Sequence, residues 1–403
     1  MMPPLKDEPS AAPGNKHSGP GAGGNEHKVP TNALTVGVLA VGVEALVVAP
    51  VLNDIAGEFG VGVTQAALLV AVYGLSLAVC SPVVALLSQR VARKKTMTAG
   101  LAIFVLAGVI CALAPYFSIL LSGRILCGVA AAAFLPACYA YIGDEIPFEQ
   151  RGKSMGRVMA GWSLALIIGV PLGSVIAQWY GWRATFLAVS ALACIALYLL
   201  ARLPSKPTGK PVPYMLSGLL ANGVPLLLAI NFFDILSFYA VYTFLGVVAK
   251  ERLLIGTGSF GLIVLFYGSG LALSTFNAVA LDRFGKERVL GLALLLLTAM
   301  LMLLSFATWS VPALGAGMLG WGVFQGLAQT ASATLLTEAA KNARGIAMAF
   351  MSCTTYMAVF VGSTGGAWLL DGAGFDVLAM AGGASAFTAY VCLIVFQRGR
   401  RNK

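Results

Sequence analysis

Histidine and charge are what this 403-residue chain has least of. Its two histidines, His17 and His27, both lie near the start, and it has no C-x-x-C pair, G-x-S-x-G elbow, H-E-x-x-H pair or G-x-x-x-x-G-K-[ST] loop. A histidine-ligated metal, a histidine base, a serine-hydrolase nucleophile and a nucleotide-driven pump therefore each lack the residues their chemistry requires. No enzyme activity, metal or cofactor is expected. Only 10% of residues are charged while 59% are hydrophobic, and mean hydropathy is +0.86. Soluble domains carry about 25% charged residues, so this composition places the chain in a membrane.

Apolar runs of about 20 residues, the length needed to cross hydrocarbon as a helix, recur twelve times. They cover approximately 31–52, 65–87, 97–114, 119–142, 157–178, 184–201, 217–248, 259–280, 289–309, 312–336, 346–369 and 376–396. Lipid offers backbone groups no partners, so each run is predicted to be a helix, giving an all-α membrane protein. Residues 1–29, rich in Pro, Gly and polar side chains, are expected to form a disordered tail without the apolar core of a signal peptide. With that tail inside, 22 of the 26 Lys and Arg residues face the cytoplasm. Arg183, Lys250 and Arg252 face outward, and Arg124 lies within a span. The expected protein is a multi-pass monomer of a cell inner membrane with both termini cytoplasmic. Its net charge of +10 follows from that topology, and nucleic-acid binding is not needed to explain it. The seven cysteines all fall in predicted spans, where they suit small-residue packing.

The chain also repeats itself at an offset of 193. Gln89-Arg90 returns as Asp282-Arg283, Arg151-Gly152 as Arg344-Gly345, and Gly169, Gly173 and Gly181 as Gly362, Gly366 and Gly374. Six spans separate the copies, so the two halves share one orientation. The halves are predicted at 30–201 and 217–397, joined by a basic, Pro-rich cytoplasmic linker at 202–216 and followed by a basic cytoplasmic tail at 398–403. Parallel six-helix repeats place a small-molecule site near the bilayer midplane, between halves that rock about it.

The loop ALLSQRVARKK (85–95) and its partner AVALDRFGKER (278–288) resemble the loop signature of the major facilitator superfamily. RILCG (124–128), GVPLG (169–173), GWRATF (181–186) and the acid Glu44 in span 1 resemble its drug/proton antiporter branch, which includes arabinose- and purine-efflux-like permeases. The resemblance covers essentially all of residues 30–397. It implies conformational roles for Arg90, Arg93, Asp282, Arg283, Gly169, Pro171 and Gly173, and a central cavity lined by spans 1, 4, 7 and 10. In the first loop Gln89 stands where the signature has aspartate, which puts the usual Asp–Arg latch of that half in doubt.

Three charged residues fall at membrane depth: Glu44, Arg124 and Asp234. Such residues cost at least ~2.5–3.5 kcal/mol to insert and mark function by default. All three lie on spans expected to line the cavity. Glu44, Asp234 and Arg124 are the candidate proton-coupling set, because the acids can gain and lose a proton and the arginine can act on them only through its permanent charge. Asn231, Asp234, Phe238 and Tyr242 share a helical face, as do Trp321, Gln325 and Gln329. Together with Tyr356, the uncharged members of these faces are the candidate substrate contacts. Glu44 also suits a hydrogen-bonded structural group at a helix contact, Arg124 a static ion pair with either acid, the glutamines an interhelical hydrogen bond, and the aromatics simple packing, and which acid Arg124 faces is open. The expected function is proton-coupled export of small amphipathic organic molecules by alternating access. An importer or facilitator of an anionic metabolite, or a transport-inactive sensor, would use the same fold.

Overall fold

The computed structural model describes residues 31–87, 91–146, 148–204, 223–276, 283–340 and 344–401. These residues are helical apart from short turns. In chain order the helices are α1 (Asn32–Phe59), α2 (Val63–Ala66), α3 (Leu68–Leu87), α4 (Arg93–Leu113) and α5 (Phe117–Glu145). They continue as α6 (Phe148–Leu164), a π-helical turn (Ala165–Gly169), α7 (Val170–Tyr180), α8 (Trp182–Ala201) and α9 (Val224–Leu253). The last four are α10 (Thr257–Phe276), α11 (Lys286–Ala307), α12 (Val311–Ala339) and α13 (Arg344–Arg401). Among the described residues, 11 helical segments are long and apolar enough to cross a membrane. The segment counted once within α13 is two helices, because Gly374 (φ 82°, ψ 174°) breaks the ladder in a conformation that side-chain-bearing residues rarely adopt. That division supplies the twelfth crossing.

Helix ends depart from the hydropathy limits for local reasons. The first helix runs past the expected 52 to Phe59, because hydropathy marks only the lipid-facing length and not the end of the backbone ladder. The ladder stops at Gly60, left-handed at φ 63°, whose N–H bonds to Ala56 O. Asp54 and Glu58 are consequently held on a helix. The seventh helix starts at Val224 and not at 217: Gly223 is left-handed and Pro225 occupies the first turn, where a missing N–H costs nothing. The tail 1–29 and most of the linker lie outside the described residues.

Without water to drive helices together, close contact between small residues holds them. Gly128 in α5 is one such point. A Cβ there would stand 2.6 Å from Tyr73 O and 2.8 Å from Ser76 Cβ of α3, so the glycine lets the two backbones touch. The fifth crossing approaches α1 in the same way, with Gly169 against Val43 and a Cβ on Gly173 only 2.8 Å from Val47 Cγ2. The π-helical turn ending at Gly169, followed by buried Pro171, makes this crossing irregular. Gly169→Leu is expected to destabilise the protein by about 1–3 kcal/mol through overpacking against Val43. Thermal unfolding in detergent should show it, with Gly169→Ala falling less.

Asp54 marks one end of the bundle and Arg93 the other. At the Asp54 end, hydrogen bonds cross between the halves. Lys250 Nζ donates to Asp54 Oδ1 (3.0 Å), Thr257 Oγ1 to Asp54 Oδ2 (2.7 Å), and Gly258 N to Gln178 Oε1 (2.8 Å). At the Arg93 end, the ion pairs between described residues stay within one half: Arg93–Asp144, Lys286–Glu338 and Arg400–Glu287.

Candidate functional site

Arg124 is brought to the centre of the first half by Gly128, one turn further along α5. Because α5 and α3 touch there, Arg124 Nε reaches Leu69 O at 2.9 Å. Its guanidinium lies 4.6 Å from the centroid of the Tyr73 ring, a cation–π distance. Nη1 is ion-paired with Glu44 Oε1 of α1. Both charged side chains are sealed, Arg124 at 0% and Glu44 at 1% exposure. The acid that Arg124 faces, open in the sequence, is thus Glu44. The pair is incomplete in hydrogen-bond terms: Glu44 Oε2, Arg124 Nη2 and Tyr73 Oη have no hydrogen-bond partner among the described residues.

The second half carries a different constellation. Asp234 on α9 is also 1% exposed, but no ion pair reaches it among the described residues. Gln325 of α12 lies within side-chain hydrogen-bonding reach of it, yet among the described residues Asp234 Oδ1 and Gln325 Nε2 have no partner. Gln325 Oε1 instead accepts from Trp321 Nε1 at 3.2 Å. Phe238 centres an aromatic cluster, stacked on Tyr242 at 4.8 Å and meeting Tyr267 at 5.2 Å and Trp321 at 5.3 Å. Tyr242 Oη donates to Leu46 O at 3.2 Å, two residues beyond Glu44, which ties this cluster to the first half. The two acids therefore sit in unlike surroundings. One is held by a cation, and the other stands among aromatics and an amide.

The remaining sequence candidates sort by contact. Asn231 is committed to helix packing, because its amide donates to Met351 O, Thr354 Oγ1 and Thr355 Oγ1 of α13 at 3.3, 3.0 and 2.9 Å. Gln329 is half-buried one turn from Gln325, and Tyr356 lies close to Tyr73. Arg93 donates to Asp144 Oδ2 at 3.1 Å, so the first half pairs an arginine with an acid at this end although Gln89 replaces the signature aspartate. Arg283 is exposed, with its guanidinium 5.4 Å from the Phe284 ring. Arg90 and Asp282 lie outside the described residues. Tyr73, Tyr239 and Tyr267 were missed. Tyr239 lies within electrostatic range of Arg124, and Tyr267 of Asp234. A tyrosine hydroxyl at mid-span was the available signal, since it must find a partner there.

The Major Facilitator Superfamily model matches residues 34–230 and 226–403, one copy for each half. The chain belongs to the Major Facilitator Superfamily. Curated relatives include YwfA, an MFS-type transporter of Bacillus subtilis (strain 168), 37% identical over 82% of this chain and 83% of its own. A probable sugar efflux transporter of Pasteurella multocida (strain Pm70) is 29% identical over 86% of each chain. A chloramphenicol resistance protein of Streptomyces lividans is 27% identical over 60% of this chain and 64% of its own. Among solved structures, a bacterial homologue of the human lysosomal transporter Spinster, in an inward-facing and occupied conformation, matches with a TM-score of 0.72. At 16% identity over 91% of this chain and 96% of that one, it speaks to the fold alone. This superfamily member is accordingly a transporter whose polar centre is shared by two six-helix halves.

Proposed function

We propose that the protein exports small amphipathic organic molecules, neutral or cationic, in exchange for protons, as in the drug/proton antiporter branch. The observation that carries this reading is the unequal treatment of the two buried acids. Glu44 has Arg124, while among the described residues Asp234 has no cation and an incomplete hydrogen-bond set. A buried carboxylate without a cation is costly as an anion, and a bound proton removes that cost. Asp234 is then the acid that exchanges a proton. Glu44 and Arg124 hold each other until a change of facing state, or a polar group of the substrate, reaches the atoms left without partners. Aromatic faces around Asp234 suit a planar or cationic substrate body. Two relatives named for chloramphenicol resistance and for sugar efflux favour export.

With the N-terminus inside, the Asp54 end faces outward, and its cross-half hydrogen bonds close it. Asp54→Asn removes the charge that holds Lys250 and is expected to favour opening there. Ser174→Cys, buried beside Gly261 of the other half, then becomes several-fold more reactive to a membrane-impermeant maleimide. Unchanged labelling would count against an outer gate at Asp54.

The function itself is tested in acid-interior everted vesicles with a pH-sensitive dye, adding lipophilic cations, purines and sugars in turn. Proton release on addition of a compound supports antiport and names the substrate class. Transport of a labelled compound with no proton movement would instead identify a facilitator.

A further inference from the structure

A second concavity lies at the Asp54 end, away from the buried acids. It encloses about 840 Å³ between the turn into the second crossing (Gly62–Leu68), the last turns of α9 (Val247–Arg252) and the break in α13 (Leu370–Phe375). The first wall belongs to one half and the other two belong to the other half. Val63, Leu68, Val247, Val248, Leu370 and Phe375 give it apolar walls, beside the polar side chains of Thr64 and Gln65.

Its charge is one-sided. Arg252, the cation on the lining, is already engaged. Its Nη1 donates to Asp376 Oδ1 (2.9 Å), Thr308 Oγ1 (2.7 Å) and Ser305 O (3.2 Å), and its guanidinium lies 4.7 Å from the Trp309 ring. Glu251 and Asp371 also line the concavity, are exposed, and have no ion pair or hydrogen bond among the described residues. Apolar walls with two uncompensated carboxylates at the rim suit one class of ligand, a cation carried on an apolar body. We infer that this concavity is a binding site for amphipathic organic cations, separate from the Arg124 and Asp234 centre, and that a ligand there favours the conformation closed at the Asp54 end.

The second part follows from linkage. Opening that end must move the Gly62–Leu68 wall away from the other two, so a ligand that touches all three binds the closed form better and shifts the equilibrium toward it. Such a ligand slows the transport cycle without entering the central site. Its electrostatic share also weakens as salt rises.

Tetraphenylphosphonium serves as the probe, on the full chain in nanodiscs. Equilibrium binding should resolve a component that Glu251→Gln/Asp371→Asn weakens roughly five- to tenfold, because exposed charge contacts are individually weak. Asp234→Asn should leave that component in place. Independently, the probe should protect Thr64→Cys, on the wall contributed by the first half, from an impermeant maleimide. Loss of the component in Asp234→Asn with no effect of Glu251→Gln/Asp371→Asn, or labelling of Thr64→Cys unchanged by the probe, would overturn the site. Binding here with no compound-driven proton release anywhere would leave the site standing and reject the antiport reading instead.

Discussion

Asp234→Asn is expected to reduce compound-driven proton release to the level of vesicles lacking the protein, while exchange of labelled compound across the membrane continues. The substitution keeps size and shape and removes only the capacity to gain and lose a proton. Packing should survive it, since Asp234 enters no ion pair among the described residues and its neighbour Gln325 can hydrogen-bond an amide as readily as an acid. A structural acid would behave differently: the variant would lose folded protein and compound exchange together. Wild-type proton release from the variant would remove Asp234 from the coupling scheme and turn attention to Glu44. The contrast between release and exchange is therefore the readout that separates coupling from architecture.

Arg124→Ala should be the most destabilising single change in the first half, by about 3–5 kcal/mol, because it strands the Glu44 carboxylate in a fully buried position. Glu44→Gln alone should also be costly, because it strands the permanently charged guanidinium of Arg124, relieved only by the hydrogen bond that the amide oxygen can accept. The decisive protein is the double variant Arg124→Ala/Glu44→Gln. With the stranded charge gone it should regain most of the stability lost in Arg124→Ala, giving a coupling energy at the upper end of the ~0.5–3 kcal/mol seen for contacting pairs. Thermal unfolding of the four proteins in one detergent provides the cycle, and strictly additive losses would mean that the two residues do not hold each other. Arg124→Lys keeps the charge but loses the planar fork that reaches Leu69 O and lies over Tyr73. It should fall between wild type and Arg124→Ala.

The sequence by itself determined the membrane class, the helical crossings, the doubled architecture and the three charged residues at depth. Each depends on a quantity that is local or one-dimensional: the length of an apolar run, the interval between two similar loops, or a charge inside hydrocarbon. The superfamily was legible for the same reason, since its loop and span motifs are short and in order. Pairing was not legible. Arg124 meets Glu44 and not Asp234 because Gly128 sets how closely α5 approaches α3 and because α1 passes beside them, and separation along the chain carries no trace of either. Asn231 shared a helical face with Asp234, yet its amide turns to α13, a choice made by the hydroxyls of Thr354 and Thr355 on a helix more than a hundred residues away. Tyr73, Tyr239 and Tyr267 escaped notice because any span could hold a tyrosine. Only tertiary packing brings these three around the buried charges, and only tertiary packing joins the halves by hydrogen bonds at the Asp54 end while leaving Glu251 and Asp371 without partners among the described residues. Hydropathy measures one helix against lipid, whereas a site in this fold is made where helices of two halves exclude lipid from one another.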